Sequence, residues 1–185
     1  MVVVLAFLLS AAFGAGDQYL GSLTGSGHAW AAGWSTDASL LSAPWLALPF
    51  LAGATQREPR RAALIGLACT YVALLGYGLM TLSPIEHAHL TVASVRGFVV
   101  SEREVLVGGI VSGPLFGWFG QQWRTRRALL GPLVTAAALC FEPLARRVGV
   151  NPIRFRDVWL AEVAAGLVLA AYATLSRSRR AFVLK

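Results

Sequence analysis

Lysine is almost missing from this chain. Of 16 basic residues 15 are arginine, and the one lysine is the last residue. Charge of either sign is scarce, at 14% of residues against the roughly 25% of a soluble domain. That excludes a single globular unit in water. Disorder is excluded by the opposite excess, since 56% of residues are apolar and six Trp, four Tyr and nine Phe add aromatic bulk. Cysteine occurs twice, as Cys69 and Cys140. Both lie inside apolar runs at different expected depths, so a disulfide framework is excluded and each reads as a small packing residue. No nucleotide-binding loop and no HExxH occurs, and no cofactor is expected. Gly25-Ser26-Gly27-His28 has a protease-like look, but nothing around it specifies a nucleophile and a base. A net charge of +7 would suggest nucleic acid for a soluble protein. Here the arginines punctuate long apolar stretches, and the partner they imply is a lipid bilayer.

A bilayer is crossed by about 20 apolar helical residues, within a range of roughly 17–25. The segments 38–55, 62–82, 105–123, 128–145 and 158–175 meet that requirement, and each is bounded by Arg, Glu or Asp. A sixth, 2–16, is short and has no basic leader, so it reads as a retained helix in preference to a cleaved signal peptide. The predicted fold is an all-α membrane protein, one integral domain over 1–185, built as a bundle of six transmembrane helices with a short first one.

Cytoplasmic loops are enriched in Lys and Arg. With the N-terminus inside, ten basic residues fall on the inner face and six on the outer, so N-in/C-in is the expected topology. Arg146, Arg147, Arg154 and Arg156 run against the rule on the outer face. Among the acids, Glu58 alone is then inner, while Asp17, Asp37, Glu86, Glu102, Glu104, Glu142, Asp157 and Glu162 are outer, as are His28, His87 and His89. Chemistry beyond charge anchoring is expected on the extracytoplasmic side. Trp30, Trp34, Trp45 and Trp159 near the outer boundary, with Trp118 and Trp123 near the inner one, form an aromatic belt.

Ser101 and Glu104 have capping-box spacing before the fourth span. Ser83, Pro84 and Glu86 repeat the device and predict a short outer surface helix over 84–95, and Asn151-Pro152 has the same cap-then-Pro form. Gly109, Gly113 and Gly117 form a doubled GxxxG stripe for helix packing, and Gly166 lies on a small-residue seam with Glu162, Ala170 and Thr174. Pro114 is expected to kink the fourth span, and Pro44 and Pro49 the second. A faint repeat relates Ser42-Ala43-Pro44 with Arg60–Gly66 to Ser112-Gly113-Pro114 with Arg126–Gly131. Shared membrane-edge chemistry explains it as well as duplication does.

The run from Ser42-Ala43-Pro44-Trp45 through Leu48-Pro49-Phe50 to Gly53-Ala54, with Gly108-Gly109 and Ser112-Gly113-Pro114-Leu115-Phe116-Gly117, resembles a family of small polytopic bacterial membrane proteins of unknown function. The likeness covers residues 38–140. It implies six helices in a bacterial plasma membrane and no activity, and for such a protein the first helix reads as truncated.

Glu162 is the leading ligand-binding candidate, because an ionisable group within a span faces a cavity or a partner. Glu142, four residues before Arg146, reads first as a helical ion pair. Arg146, Arg147, Arg154 and Arg156 suit an anion or headgroup, or neutralisation by Asp157, Glu142 and Glu162. Trp30 and Trp34 are candidates for stacking on a ligand. Glu86 and His89 are weak metal candidates sharing a helix face, which His87 and His89 do not. Three functions compete. The first is binding or transport of a small solute from the outer side, an architecture similar to the substrate-capture subunits of energy-coupling-factor vitamin transporters. The second is a non-catalytic subunit meeting a membrane partner or its own copy through the glycine stripe. The third is a lipid- or isoprenoid-acting enzyme using Glu142 and Glu162.

Overall fold

The computed structural model describes residues 2–23, 33–149 and 154–183, with side chains through Ser176. The described residues hold eight α-helices and no strand: α1 (Val2–Ser22), α2 (Trp34–Ser39), α3 (Ala43–Ala54), α4 (Pro59–Thr81), α5 (Val92–Ser101), α6 (Arg103–Arg126), α7 (Leu130–Val148) and α8 (Arg156–Val183). Three segments are long and apolar enough to cross a membrane: Val2–Ser22, Pro59–Thr81 and Arg156–Ser176. Leu64, Leu75, Leu79, Ile110, Val111 and Leu167 are exposed on the outside of the bundle. A water-soluble monomer rarely shows so much contiguous apolar surface.

Helix α4 is the centre of the packing. It runs parallel to α1, whose Phe7 packs on Ile65 and Cys69 near one end and whose Gly14 abuts Ala73 and Tyr77 near the other. It runs antiparallel to α6, where Gly109 faces Thr70, Gly113 faces Leu67 and Gly117 faces Ala62 and Gly66. Gly53 of α3 comes against Gly117 as well, so α3, α4 and α6 cross with no side chain between them. The close approach needs glycine, and it brings many weak dispersion contacts into range. Phe50, Phe116 and Phe119 fill the space beside that crossing, with the Trp123 ring stacked 5.7 Å from Phe50. Helices α7 and α8 form an antiparallel pair, tied where Gly166 sits against Cys140, Ala136 and Leu139. Cys69 and Cys140 are both free thiols.

Several boundaries differ from the sequence expectation. The first helix is not short: α1 continues through Gly16 and Asp17 to Ser22, 21 residues in all. The second segment is two helices, broken at Leu40–Ser42, with Pro44 in the first turn of α3 and Pro49 carried inside it. Helix α3 has 12 residues, roughly 18 Å of rise, less than a bilayer's hydrocarbon thickness. The surface helix lies at Val92–Ser101, not 84–95. Pro84–Glu86 forms just a 3-10 turn, which ends when His87 takes a left-handed conformation at φ 56°. The capping box belongs to Thr91 and Ser94. Ser83 makes no side-chain cap. Ser101 ends α5 by donating to the Phe98 carbonyl, and Glu102 leads into α6 without a side-chain cap. The cap at Asn151 lies outside the described residues.

At the opposite end of the bundle, α6 secures the α3–α4 connection. Gln121 donates to the Arg57 carbonyl at 2.8 Å and Arg124 to the Ala54 carbonyl at 3.2 Å. Both carbonyls are groups that helix ends and turns leave without partners.

Candidate functional site

The break before α3 exposes two backbone donors, and a carboxylate from another helix takes both. Pro44 supplies no N–H, which leaves Ser42 and Ala43 to present theirs. Ser42 donates to Glu142 Oε1 at 2.7 Å and Ala43 to Glu142 Oε2 at 2.6 Å. Arg146, one turn along α7, donates from Nε to Glu142 Oε1 at 2.7 Å. Its Nη2 also reaches the Leu40 carbonyl, and the Ser42 hydroxyl at 2.9 Å. A helix N-terminus favours negative charge, and charge-assisted bonds of this kind are the strong ones. Glu162 of α8 stands beside Glu142 and within reach of the Arg146 charge. It is 4% exposed, and among the described residues neither of its oxygens has a hydrogen-bond partner. An open groove of about 590 Å³ runs past Ser42, Leu46, Phe141, Glu142 and Arg146.

Asp37 repeats the device between α2 and α8. Its Oδ2 accepts the backbone N–H groups of Arg154 and Phe155, each at 2.6 Å, just ahead of the first turn of α8, and the residue is 4% exposed. Asp37→Ala is therefore expected to cost about 2 kcal/mol, from two lost hydrogen bonds to a charged acceptor. Hydrogen–deuterium exchange at the Arg154 and Phe155 amides should speed up while exchange across the α4–α6 crossing stays slow. Unchanged exchange at those two amides would show that the bonds hold nothing in place.

A second space lies on the other side of Ser42 and Leu46. It is a half-open cavity of about 400 Å³ bounded by α1, the α2–α3 junction, α4 and α6. Asp17, Glu102, Trp45 and Tyr77 line it, with the hydroxyls of Ser39, Ser42, Thr70 and Ser112 and the apolar Leu46 and Leu74. Trp45 stands edge-on to Tyr77 at 6.1 Å and to Phe13 at 5.3 Å, which fixes both lining rings. Asp17 lies beside the Trp45 indole. Gly108 borders the cavity with nothing within 4 Å of where a Cβ would stand. A mostly apolar, aromatic wall with a few convergent polar groups is the usual composition of a small-molecule site.

The structure brings Glu142, Arg146 and Glu162 together and leaves the other candidates apart. Arg147 is exposed, and Arg154 and Arg156 are exposed near the start of α8. Trp34 opens α2, while Trp30 and the Gly25–His28 segment lie outside the described residues. Glu86 closes the 3-10 turn and His89 follows in irregular chain, so no helix face joins them. Among the described residues no three His, Cys, Asp or Glu side chains group to hold a metal ion. Sequence reasoning missed Asp17, Asp37 and Glu102. The one available signal was an acid directly abutting an apolar run.

The model of a family of unknown function, DUF6518, matches residues 2–185, and the chain belongs to that family. No curated protein and no solved structure matches it.

Proposed function

We propose that this DUF6518 member is a six-span protein of the bacterial plasma membrane that binds a small solute, as a receptor or transporter, in the cavity between α1, α3, α4 and α6. The observation that carries the proposal is the cavity itself, about 400 Å³ with aromatic, hydroxyl and carboxylate lining. The apolar exterior and the three apolar helices support a bilayer around it. With the N-terminus inside, as the arginine distribution favours, the end carrying Asp17, Ser42 and Glu102 faces the extracytoplasmic side. In this reading Glu142, Arg146 and Glu162 brace the start of α3, whose Ser42 and Leu46 border the cavity on one face and the groove on the other. The glycine stripe of α6 is engaged within the chain by α4, so an assembly role needs some other surface.

Gly108→Leu tests the reading, because it fills the cavity border without meeting a neighbouring atom at Cβ. Full-length protein in lipid nanodiscs is screened by tryptophan fluorescence against pools of amines, carboxylic acids and sugars. At least one pool is expected to shift the spectrum of the parent protein and to lose that effect with Gly108→Leu. Responses that are identical in the two proteins would place binding elsewhere and sink the proposal.

A further inference from the structure

The charge of the cavity wall names the class of solute, and this step rests on the cavity being a solute site. Asp17 enters from α1 and Glu102 from the α5–α6 junction, and among the described residues no Arg, Lys or His lines the space. The ion pair found among the described residues is Arg146 with Glu142, so neither Asp17 nor Glu102 has a basic partner there. Arg146 reaches Leu40 and Ser42 from behind the wall and is already engaged by Glu142. Tyr77 lies within the fields of Asp17 and Glu102, and all three line the cavity. Carboxylates without a basic partner near a low-dielectric interior are costly, and a cationic ligand supplies the missing charge.

The choice between a metal ion and an organic cation follows from size and lining. Hard cations need six or more oxygen ligands, or several ordered waters, at about 2.0–2.6 Å. No group of three carboxylate, imidazole or thiol side chains stands ready among the described residues. The space is instead far larger than an ion, and its wall includes Trp45, Tyr77 and Leu74. Aromatic faces attract alkylammonium groups through their quadrupoles, Trp most strongly. We propose that the cavity binds a small organic amine in its ammonium form. Asp17 and Glu102 neutralise the nitrogen, and Trp45, Tyr77 and Leu74 receive the hydrocarbon part.

The test titrates full-length protein in nanodiscs with 1,4-diaminobutane and with choline, against 1,4-butanediol as a neutral match and succinate as an anionic one. Tryptophan fluorescence and the thermal transition are both read. The amines are expected to quench the fluorescence and raise the transition. The quench should vanish in Trp45→Phe, and affinity should fall at least about tenfold in Asp17→Asn and in Glu102→Gln. Glu58→Gln, at the opposite end of α4, should bind like the parent. Gly108→Leu, which alters no charge, should also block the amines, so the proposal does not depend on the folding of the acid variants. Amine binding that is unchanged in Asp17→Asn and Glu102→Gln overturns the proposal, as does an absence of response to both amines. Protection by butanediol or succinate alone overturns the amine assignment and leaves the solute reading standing. The solute reading falls separately, on the Gly108→Leu screen.

Discussion

Arg146→Met is expected to lower the unfolding free energy by about 3–5 kcal/mol, the range found when one partner of a buried ion pair is removed. The Arg146–Glu142 pair is mostly shielded, with side chains 18% and 10% exposed. Removing the guanidinium does more than break that pair. It strips donors from the Leu40 carbonyl and the Ser42 hydroxyl, and it leaves Glu142 and Glu162 side by side with no cation. Arg146→Lys should fall between, because an ammonium keeps the charge but cannot reproduce the planar fork that serves three acceptors. Adding Glu162→Gln to Arg146→Met should recover part of the loss, since it removes one of the two carboxyl groups left side by side. The coupling is read as non-additivity in equilibrium unfolding of the purified protein in detergent. If Arg146→Met costs no more than the roughly 1 kcal/mol of an exposed pair, the cluster is a solvated edge and braces nothing.

The cluster matters to the proposed function because of what it holds. A helix interrupted inside the protein leaves donors that water would satisfy at a surface. At Ser42 and Ala43 a carboxylate takes water's place, and at Arg154 and Phe155 Asp37 does the same. Both devices tie together segments about a hundred residues apart in the chain. They fix the α2–α3 junction, which is one wall of the cavity. A mobile junction would not hold Trp45 in one orientation, and the proposed recognition of a solute needs that rigidity.

Much of the helical content is legible in the sequence because apolar runs bounded by charge have few other solutions. The limits are instructive. Pro44 announces a break, but which acid answers its neighbours depends on α7 arriving from elsewhere in the chain. The Glu142–Arg146 pair is visible as a four-residue spacing; the two hydrogen bonds that Glu142 accepts from α3 are not. Asp17 looks like the end of an apolar run, yet α1 continues nearly two further turns to Ser22 and puts that carboxylate in the cavity wall. Ser83-Pro84 and Thr91 both carry helix-start signals. Local chemistry alone does not reveal that His87 turns left-handed and hands the start to Thr91. The glycine spacing of α6 can be read along the chain; the helix it faces cannot.

Those glycines set the other large effect. Gly117→Ala is expected to cost about 3 kcal/mol or more, at the upper end of overpacking effects, and Gly117→Leu to prevent recovery of folded protein. A Cβ on Gly117 would run into the Ala62 carbonyl oxygen and come within 3.0 Å of the Gly66 Cα. One on Gly53 would strike the Gly117 carbonyl, and one on Gly66 would come within 2.8 Å of the Gly117 Cα. In each case the obstacle is backbone, which cannot rotate away as a side chain can. Gly97 in α5 and Gly16 in α1 meet nothing within 4 Å. Alanine there should be neutral or stabilise by up to about 1 kcal/mol, because it is the better helix former. Thermal transitions and monodisperse yield in detergent check the contrast directly. A Gly117→Ala protein as stable as Gly97→Ala would mean the three helices do not meet where they are placed. A Gly117→Ala protein that keeps its fold but loses an oligomer would move the stripe to an interface between chains. Loss of the fold itself assigns the stripe to the crossing of α3, α4 and α6, and with it the spacing of the helices that wall the cavity.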